Sequence, residues 1–536
     1  MKVFFERAIA NVTKFGDTDI FPFPIENHIM FDNKSGAVAL LLDLYSNFSE
    51  RLAQYPPANY SALVPINYTG FRWATQIDPL WNAFFLGVVL SIAEEIEAAR
   101  VPCDRKVIFS YRYKWDEATH ALFDQDFQWR SFMEHSLQVA QHKKFVVACD
   151  ISEFYPRLNH HRLENALKQL RLKGDQPAKI MGFLANYSDT YSFGMPVGGP
   201  AARILSELLL NQIDRLLIAN GIIFCRFADD YHIFADSYEE AFRALVFLSE
   251  RLLQNQGLQL QKAKTRIMSG QEFISTSPLQ NADDDVESKG SSIRTQSKNL
   301  LRFSLRFDPY SPTAIEDYEA LRNQIEKFDL LGILKSELTK SRIHVSLSKK
   351  IISAIRYIDE TQLDDAVTSL IQNPDLLYPI YANILMVIKT LFDDLQLDTQ
   401  QKIIGHITEL IKNESHVLRV DLNLAYAVRV LACQQSPENE ELLNRTYAQT
   451  RSVLLRRDII LIMAKWRAWY WLSDLKTTFR TLSPAERRAF LIASYFLTDE
   501  GKHWREHIGP ELSPFENLVK EWAADKMQHF GWSIPL

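Results

Sequence analysis

Between Lys144 and Ser269 short apolar runs of strand length alternate with longer runs whose apolar positions recur every three to four residues. "FVVACD" is a β-rich run ending on Asp150, and "HHRLENALKQL" has helical spacing. "GGPAARILSELLLNQIDRLLIANG" predicts a long helix with Ile204, Leu205, Leu208, Leu209, Ile213, Leu216 and Leu217 inward, closed by Gly221. "IIFCRFA" and "YHIFA" predict two strands about a two-residue Asp-Asp turn. "SYEEAFRALVFLSERLLQNQG" starts a helix on serine and stops it on glycine, and "LQLQKAKTRIM" predicts a last strand. Up to about Arg105 helical runs mix with irregular, proline-containing segments. Residues 275–299 are polar and rich in Ser and Asp, the pattern of a mobile loop or linker. Beyond about Leu300 strand signals vanish. "YANILMVIKTLFDDL" and "RRDIILIMAKWRAWYWLSDL" predict amphipathic helices of helical-repeat type without a clean period.

Composition narrows the reading. A chain of 536 residues has room for two to four domains. A formal net charge of −6 excludes a protein held on nucleic acid by bulk charge, so a polyanion site must be a local basic channel. Cys103, Cys149, Cys225 and Cys433 have neither zinc spacing nor a disulfide framework, which favours a reducing cytoplasm. The N-terminal stretch carries acids too early for a secretory signal. "WNAFFLGVVLSIAEEIEAAR" is too briefly apolar for a membrane span and reads as a buried helix.

The adjacent Asp229 and Asp230 are the first candidate chemistry. On a straight strand neighbouring carboxylates point to opposite faces, whereas in a tight turn both face one side. Two close carboxylates repel, which favours a raised pKa or a bound divalent cation. Asp150, at the end of its own strand, is the third acid that completes a two-cation site for phosphoryl transfer.

With these pieces in order the chain resembles the reverse transcriptases. "FVVACDISEFYPRL" looks like palm motif A, "FGMPVGGPAARILSELLL" like motif B, "RFADD" like motif C and "GLQLQKAKTRIM" like motif D. Upstream, "RWATQIDPLWNAFFLGVVLSIAEEIE" and "KVIFSYRYKW" are similar to the fingers. The resemblance implies an α+β fingers–palm module with a ferredoxin-like palm. It implies two Mg²⁺ ions, or Mn²⁺, held by Asp150, Asp229 and Asp230 with Ile151 as a further metal position. It makes Lys264 the general acid for the departing pyrophosphate and Tyr155 a steric gate against a 2′-hydroxyl. Arg72, Lys106 and Arg112 become candidates for the triphosphate or template, and Pro196, Gly198 and Gly199 for the turn that meets the nascent base pair.

Two departures point to a subfamily. Val197 stands where retroviral and intron enzymes carry a glutamine after the motif B proline, and a helical tail replaces any nuclease, integrase, zinc or maturase module. With "GDTDIFPFPIEN" and "FDPYSPTAIEDYEALRNQIEKFDLLGILKSELTKSRIH" these resemble the bacterial defence reverse transcriptases, the abortive-infection and unknown-group enzymes. That resemblance implies an N-terminal segment and fingers over 1–143, a palm over 144–274, a linker over 275–299 and an all-α, HEAT-like domain over 300–536. It implies a cytosolic bacterial antiphage enzyme, often homo-oligomeric, that uses deoxynucleotides and makes DNA. Such enzymes work either without a conventional template from a protein tyrosine or with a partner non-coding RNA. Tyr45, Tyr55, Tyr60 and Tyr68 are priming candidates that no motif separates. A templated retron- or intron-like polymerase and a non-catalytic RNA-binding scaffold are the rival readings. "LTKSRIHVSLSKKIISAIR" offers Lys340, Arg342, Lys349, Lys350 and Arg356 as either a polyanion channel or a solvated face.

Overall fold

The computed structural model describes residues 1–18, 20–188, 191–277, 292–303, 305 and 314–536. Among the described residues six strands form two sheets. β1 (Tyr60–Pro65) and β2 (Phe71–Gln76) make a hairpin. β3 (Phe145–Asp150), β4 (Ile223–Phe227), β5 (Asp230–Ala235) and β6 (Arg266–Ser269) form a sheet in the order β4-β5-β3-β6, every pairing antiparallel. With helices between β3 and β4 and between β5 and β6, this is the βαββαβ order of a ferredoxin-like sheet.

The chain divides into two compact units. The first comprises Met1–Asn59 and Thr75–Gln280, the second Tyr60–Ala74 and Asn281–Leu536. In the first unit, helices α1 (Lys2–Phe15) and α2 (Pro79–Leu90) pack together. α2 is buried at all twelve positions, which explains its apolar run. α3 (Trp129–Ala140) covers one face of the sheet, where Phe132 and Met133 meet Val146, Cys225 and Phe234. α4 (Pro200–Ala219) and α5 (Tyr238–Arg251) pack against the sheet as well. The Ser237 side chain caps α5 by accepting from the Glu240 amide at 3.1 Å. The predicted inward positions of α4 are buried except the half-buried Leu216. Ser206, Glu207 and Asp214 are buried with them, which an apolar stripe does not foretell.

Three local readings change. The hairpin loop is Ala228–Asp229, one residue earlier than expected, and Asp230 already pairs with Phe227. The last strand is confined to β6, because residues 262–264 form a turn that brings Lys264 to Asp150. Helix α6 (Ile293–Arg302), capped by Ser292, occupies the end of the expected linker, of which 278–291 lie outside the described residues.

In the second unit, α7 (Tyr381–Leu391), α8 (Asp421–Leu431), α9 (Val453–Lys465), α10 (Pro484–Ala493) and α11 (Pro514–Lys526) pack each on the next. The expected single helix over 456–475 is two. The chain breaks after Lys465, where Arg467 is left-handed (φ 57) and its amide reaches the Ala464 carbonyl. The β1–β2 hairpin is embedded in this unit. The Tyr60 hydroxyl meets Asp421 and Ser452 at 2.9 and 3.1 Å. The Tyr68 hydroxyl donates to the Leu376 carbonyl at 2.6 Å and accepts from the Ile343 amide at 3.1 Å. By length and composition Pro374–Asp394 passes for a membrane-crossing helix, yet more than half of its most apolar stretch is buried within the fold.

Candidate active site

Asp150 ends β3 and Asp230 begins β5, directly opposite each other in the ladder. Asp229 occupies the turn just before. Ala228, at φ 52, takes the left-handed conformation that the first loop residue of a type II′ turn needs, a place usually filled by glycine. Shifting the turn by one residue lets two adjacent aspartates face the same side. One ligand oxygen from each of Asp150, Asp229 and Asp230 lies within 4.8 Å of the others. Asp150 is only 7% exposed. Burial, followed by the charge of Asp150, pushes Asp229 up to about 7 and Asp230 up to about 6. Three converging carboxylates with raised proton affinity have the chemistry of a hard divalent-cation site.

The loop after α5 closes one side. The Gln261 amide donates to the Asp150 carbonyl at 2.7 Å, and Lys264 Nζ donates to Asp150 Oδ2 at 2.6 Å. Lys264 is raised despite its partial burial, because Asp150 holds its proton. Ile151 lies beside the triad with a buried side chain, and its amide donates to the Asp229 carbonyl at 3.1 Å. Only its own carbonyl has ligand chemistry.

Tyr155 sits in the short helix Phe154–Arg157 that follows β3, and burial raises its phenol well above the usual tyrosine value. Its carbonyl accepts from the Met195 amide at 2.9 Å, which ties the motif B loop to motif A. In that loop Pro196 and Gly199 are buried. Gly198 has φ 97, a conformation that an L side chain rarely adopts.

Arg112 is buried and committed to structure, with Glu97 at 2.8 Å, the Val101 carbonyl at 2.8 Å and the Ile108 carbonyl at 3.2 Å. Three of its five N–H groups are spent within the fold. Lys106 is exposed, and Arg72 lies on the exposed start of β2 in the second unit. Of the tyrosines, Tyr45 is bonded to Asp175, and Tyr60 and Tyr68 are engaged as described. The hydroxyl of Tyr55 makes no hydrogen bond among the described residues. The basic stripe over 340–356 is dispersed. Lys340 pairs with Glu337, Lys350 reaches the Leu301 carbonyl, and Arg342 lies over the Tyr68 ring.

Sequence reasoning missed the support beneath the turn. Arg226, on the face of β4 opposite Cys225, is fully buried. It bonds Glu207 at 2.8 and 3.1 Å, Asp214 at 2.7 and 2.9 Å, and the Ala228 carbonyl at 2.8 Å. Arg100 and Ser110 complete Glu207, each at 2.6 Å. The available signal was an arginine inside an otherwise apolar strand, with Glu207 and Asp214 seven residues apart on α4.

Residues 104–333 match the family described as reverse transcriptase (RNA-dependent DNA polymerase). The chain carries a reverse transcriptase domain. The activity of this domain is RNA-directed DNA polymerisation, a nucleotidyl transfer. The acid triad lies inside the matched residues. A search of curated proteins finds no match. Among solved structures, the telomerase of Candida albicans in complex with a TWJ fragment of telomeric RNA is 12% identical with a TM-score of 0.31. That alignment covers 66% of this chain and 68% of the telomerase chain. Apo telomerase from Candida tropicalis is 11% identical with a TM-score of 0.30, over 78% and 73%. Neither likeness is close enough to carry an argument about the reverse transcriptase domain.

Proposed function

We propose that this protein is the polymerase of a bacterial antiphage system, adding deoxynucleotides without copying a conventional template and starting from a protein hydroxyl. The observation that carries the polymerase part is the convergence of Asp150, Asp229 and Asp230 at the end of a ferredoxin-like sheet. The triad fits a pair of Mg²⁺ ions, which supply Lewis acidity to the attacking hydroxyl and the leaving phosphate when bound. Asp150, Asp229 and Asp230 would be their ligands. Tyr155 places a rigid ring beside the triad and excludes a 2′-hydroxyl by bulk. Lys264, already hydrogen-bonded to Asp150, is positioned to give its proton to the departing pyrophosphate.

Val197 supports untemplated synthesis, because a valine cannot make the amide contacts of the glutamine that family members carry there. The successive packing of α7 to α11 supports a HEAT-like C-terminal scaffold. The test is incubation of purified protein with labelled deoxynucleotides and Mg²⁺, followed by sequencing of the product and of any co-purifying nucleic acid. Homopolymeric or random product that migrates freely only after proteinase digestion is expected. A faithful cDNA of a bound RNA, or product unaffected by Asp229→Asn, overturns the reading. Phage plating on cells expressing wild type and Asp229→Asn tests the defence role.

A further inference from the structure

Among the described residues one cation of α4 has no hydrogen-bond or ion-pair partner. Arg203 stands in the first turn of α4, four residues before Glu207, so the two share a helix face. The ordinary outcome of that spacing is an ion pair. It does not form here, because both Glu207 oxygens are taken by Arg226, Arg100 and Ser110. Among the described residues the Arg203 guanidinium makes no hydrogen bond or ion pair, and its contact is with the Tyr111 ring, whose centroid lies 5.2 Å away. Tyr111 is held rigidly. Its backbone is left-handed (φ 46), its carbonyl accepts from Arg100 at 2.9 Å, and its ring touches Phe123 and Phe227. Phe227 pairs with Asp230 in the catalytic hairpin. Arg203 is thus a half-buried fork of donors, unused among the described residues, set over the Tyr111 ring.

Its position selects the part of a nucleotide it meets. The phosphate end belongs to the triad and Lys264. The charge of Arg203 acts on the phenols of Tyr111 and Tyr155. With Tyr155 as the sugar gate proposed above, that is the nucleoside side, and Arg203 follows Gly199 by four residues. We propose that Arg203, stacked on Tyr111, reads the base of the incoming deoxynucleotide and favours guanine. A guanidinium only donates, so it matches the O6 and N7 acceptors of guanine and is opposed by the amino group of adenine. This inference rests on the polymerase reading above and adds a specificity-determining residue to it.

The experiment measures kcat/KM for each deoxynucleotide singly, with Mg²⁺ and nuclease-treated protein, for wild type, Arg203→Ala and Arg203→Lys. Calorimetric binding of dGTP and dATP and thermal melting are measured on the same samples. Wild type is expected to favour dGTP over dATP by about tenfold. Arg203→Ala brings dGTP down to the level of dATP at an unchanged melting temperature. Arg203→Lys, which keeps the charge but loses the planar fork, loses most of the preference. A second arm supplies homopolymer templates. Base choice that follows the template equally in wild type and Arg203→Ala overturns the inference, as does an equal loss for all four nucleotides. If wild type forms no product, the polymerase reading falls, and the calorimetric dGTP-to-dATP ratio then decides Arg203 by itself.

Discussion

At the scale of single residues, the acid triad dominates. Losing one ligand of a two-cation site removes several kcal/mol of transition-state stabilisation. Asp150→Asn or Asp229→Asn is therefore expected to lower deoxynucleotide incorporation about a thousandfold. The same carboxylates make the metal-free protein sensitive to pH. Asp229 at about 7 and Asp230 at about 6 both lie above their ordinary 3.8, so the fold holds their protons more tightly than the unfolded chain does. Their contribution to stability is complete below about pH 4 and is lost as the pH climbs through 6 and 7. Without metal, Asp229→Asn is expected to melt above wild type at pH 8, with the difference vanishing near pH 4. Mg²⁺ needs the ionised acids, so its affinity rises over the same interval, and titration calorimetry in buffers of different ionisation heat should detect proton release.

At the scale of elements, the hairpin keeps its shape because Arg226 ties the Ala228 carbonyl to α4. Arg226→Met leaves buried carboxylates without their main counter-charge, and a loss of about 3–5 kcal/mol in the urea unfolding of the first unit is expected. In the second unit, Tyr68→Phe removes a half-buried donor and leaves the Ile343 amide without its acceptor, a loss of about 1 kcal/mol by the same measurement. What the sequence made legible follows period and spacing. The strand ending on Asp150, the long helix with its inward leucines and the serine-capped α5 announce themselves through patterns local to each element. The single-residue shift of the turn did not, because Ala228 carries no sign of a left-handed backbone. The burial of Arg112, Arg226 and Glu207 did not either, since a charged residue declares its charge and not its partner. Arg112 read as a substrate contact for that reason and proved to be held by Glu97. The break at Arg467 escaped for a similar reason, with apolar residues continuing on both sides of it.

At the scale of the whole molecule, the helical unit and the unit that carries the acids are not successive stretches of chain. Tyr60–Ala74 leaves the first and belongs to the second, whose remaining residues begin only at Asn281. During synthesis the hairpin therefore emerges long before Leu376, Asp421 and Ser452, the groups its tyrosines bond, and it must wait for them. The fragment 281–536 made alone lacks an internal part, so it is expected to melt below the same unit in the intact protein. A synthetic peptide of residues 60–74 should raise that melting temperature, and the Tyr68→Phe peptide should do so less. The N-terminal strand pair acts as a clasp that the chain forms early and fastens late, so a ribosome stalled before Leu376 would hold a nascent enzyme whose catalytic sheet is complete while its clasp is still open.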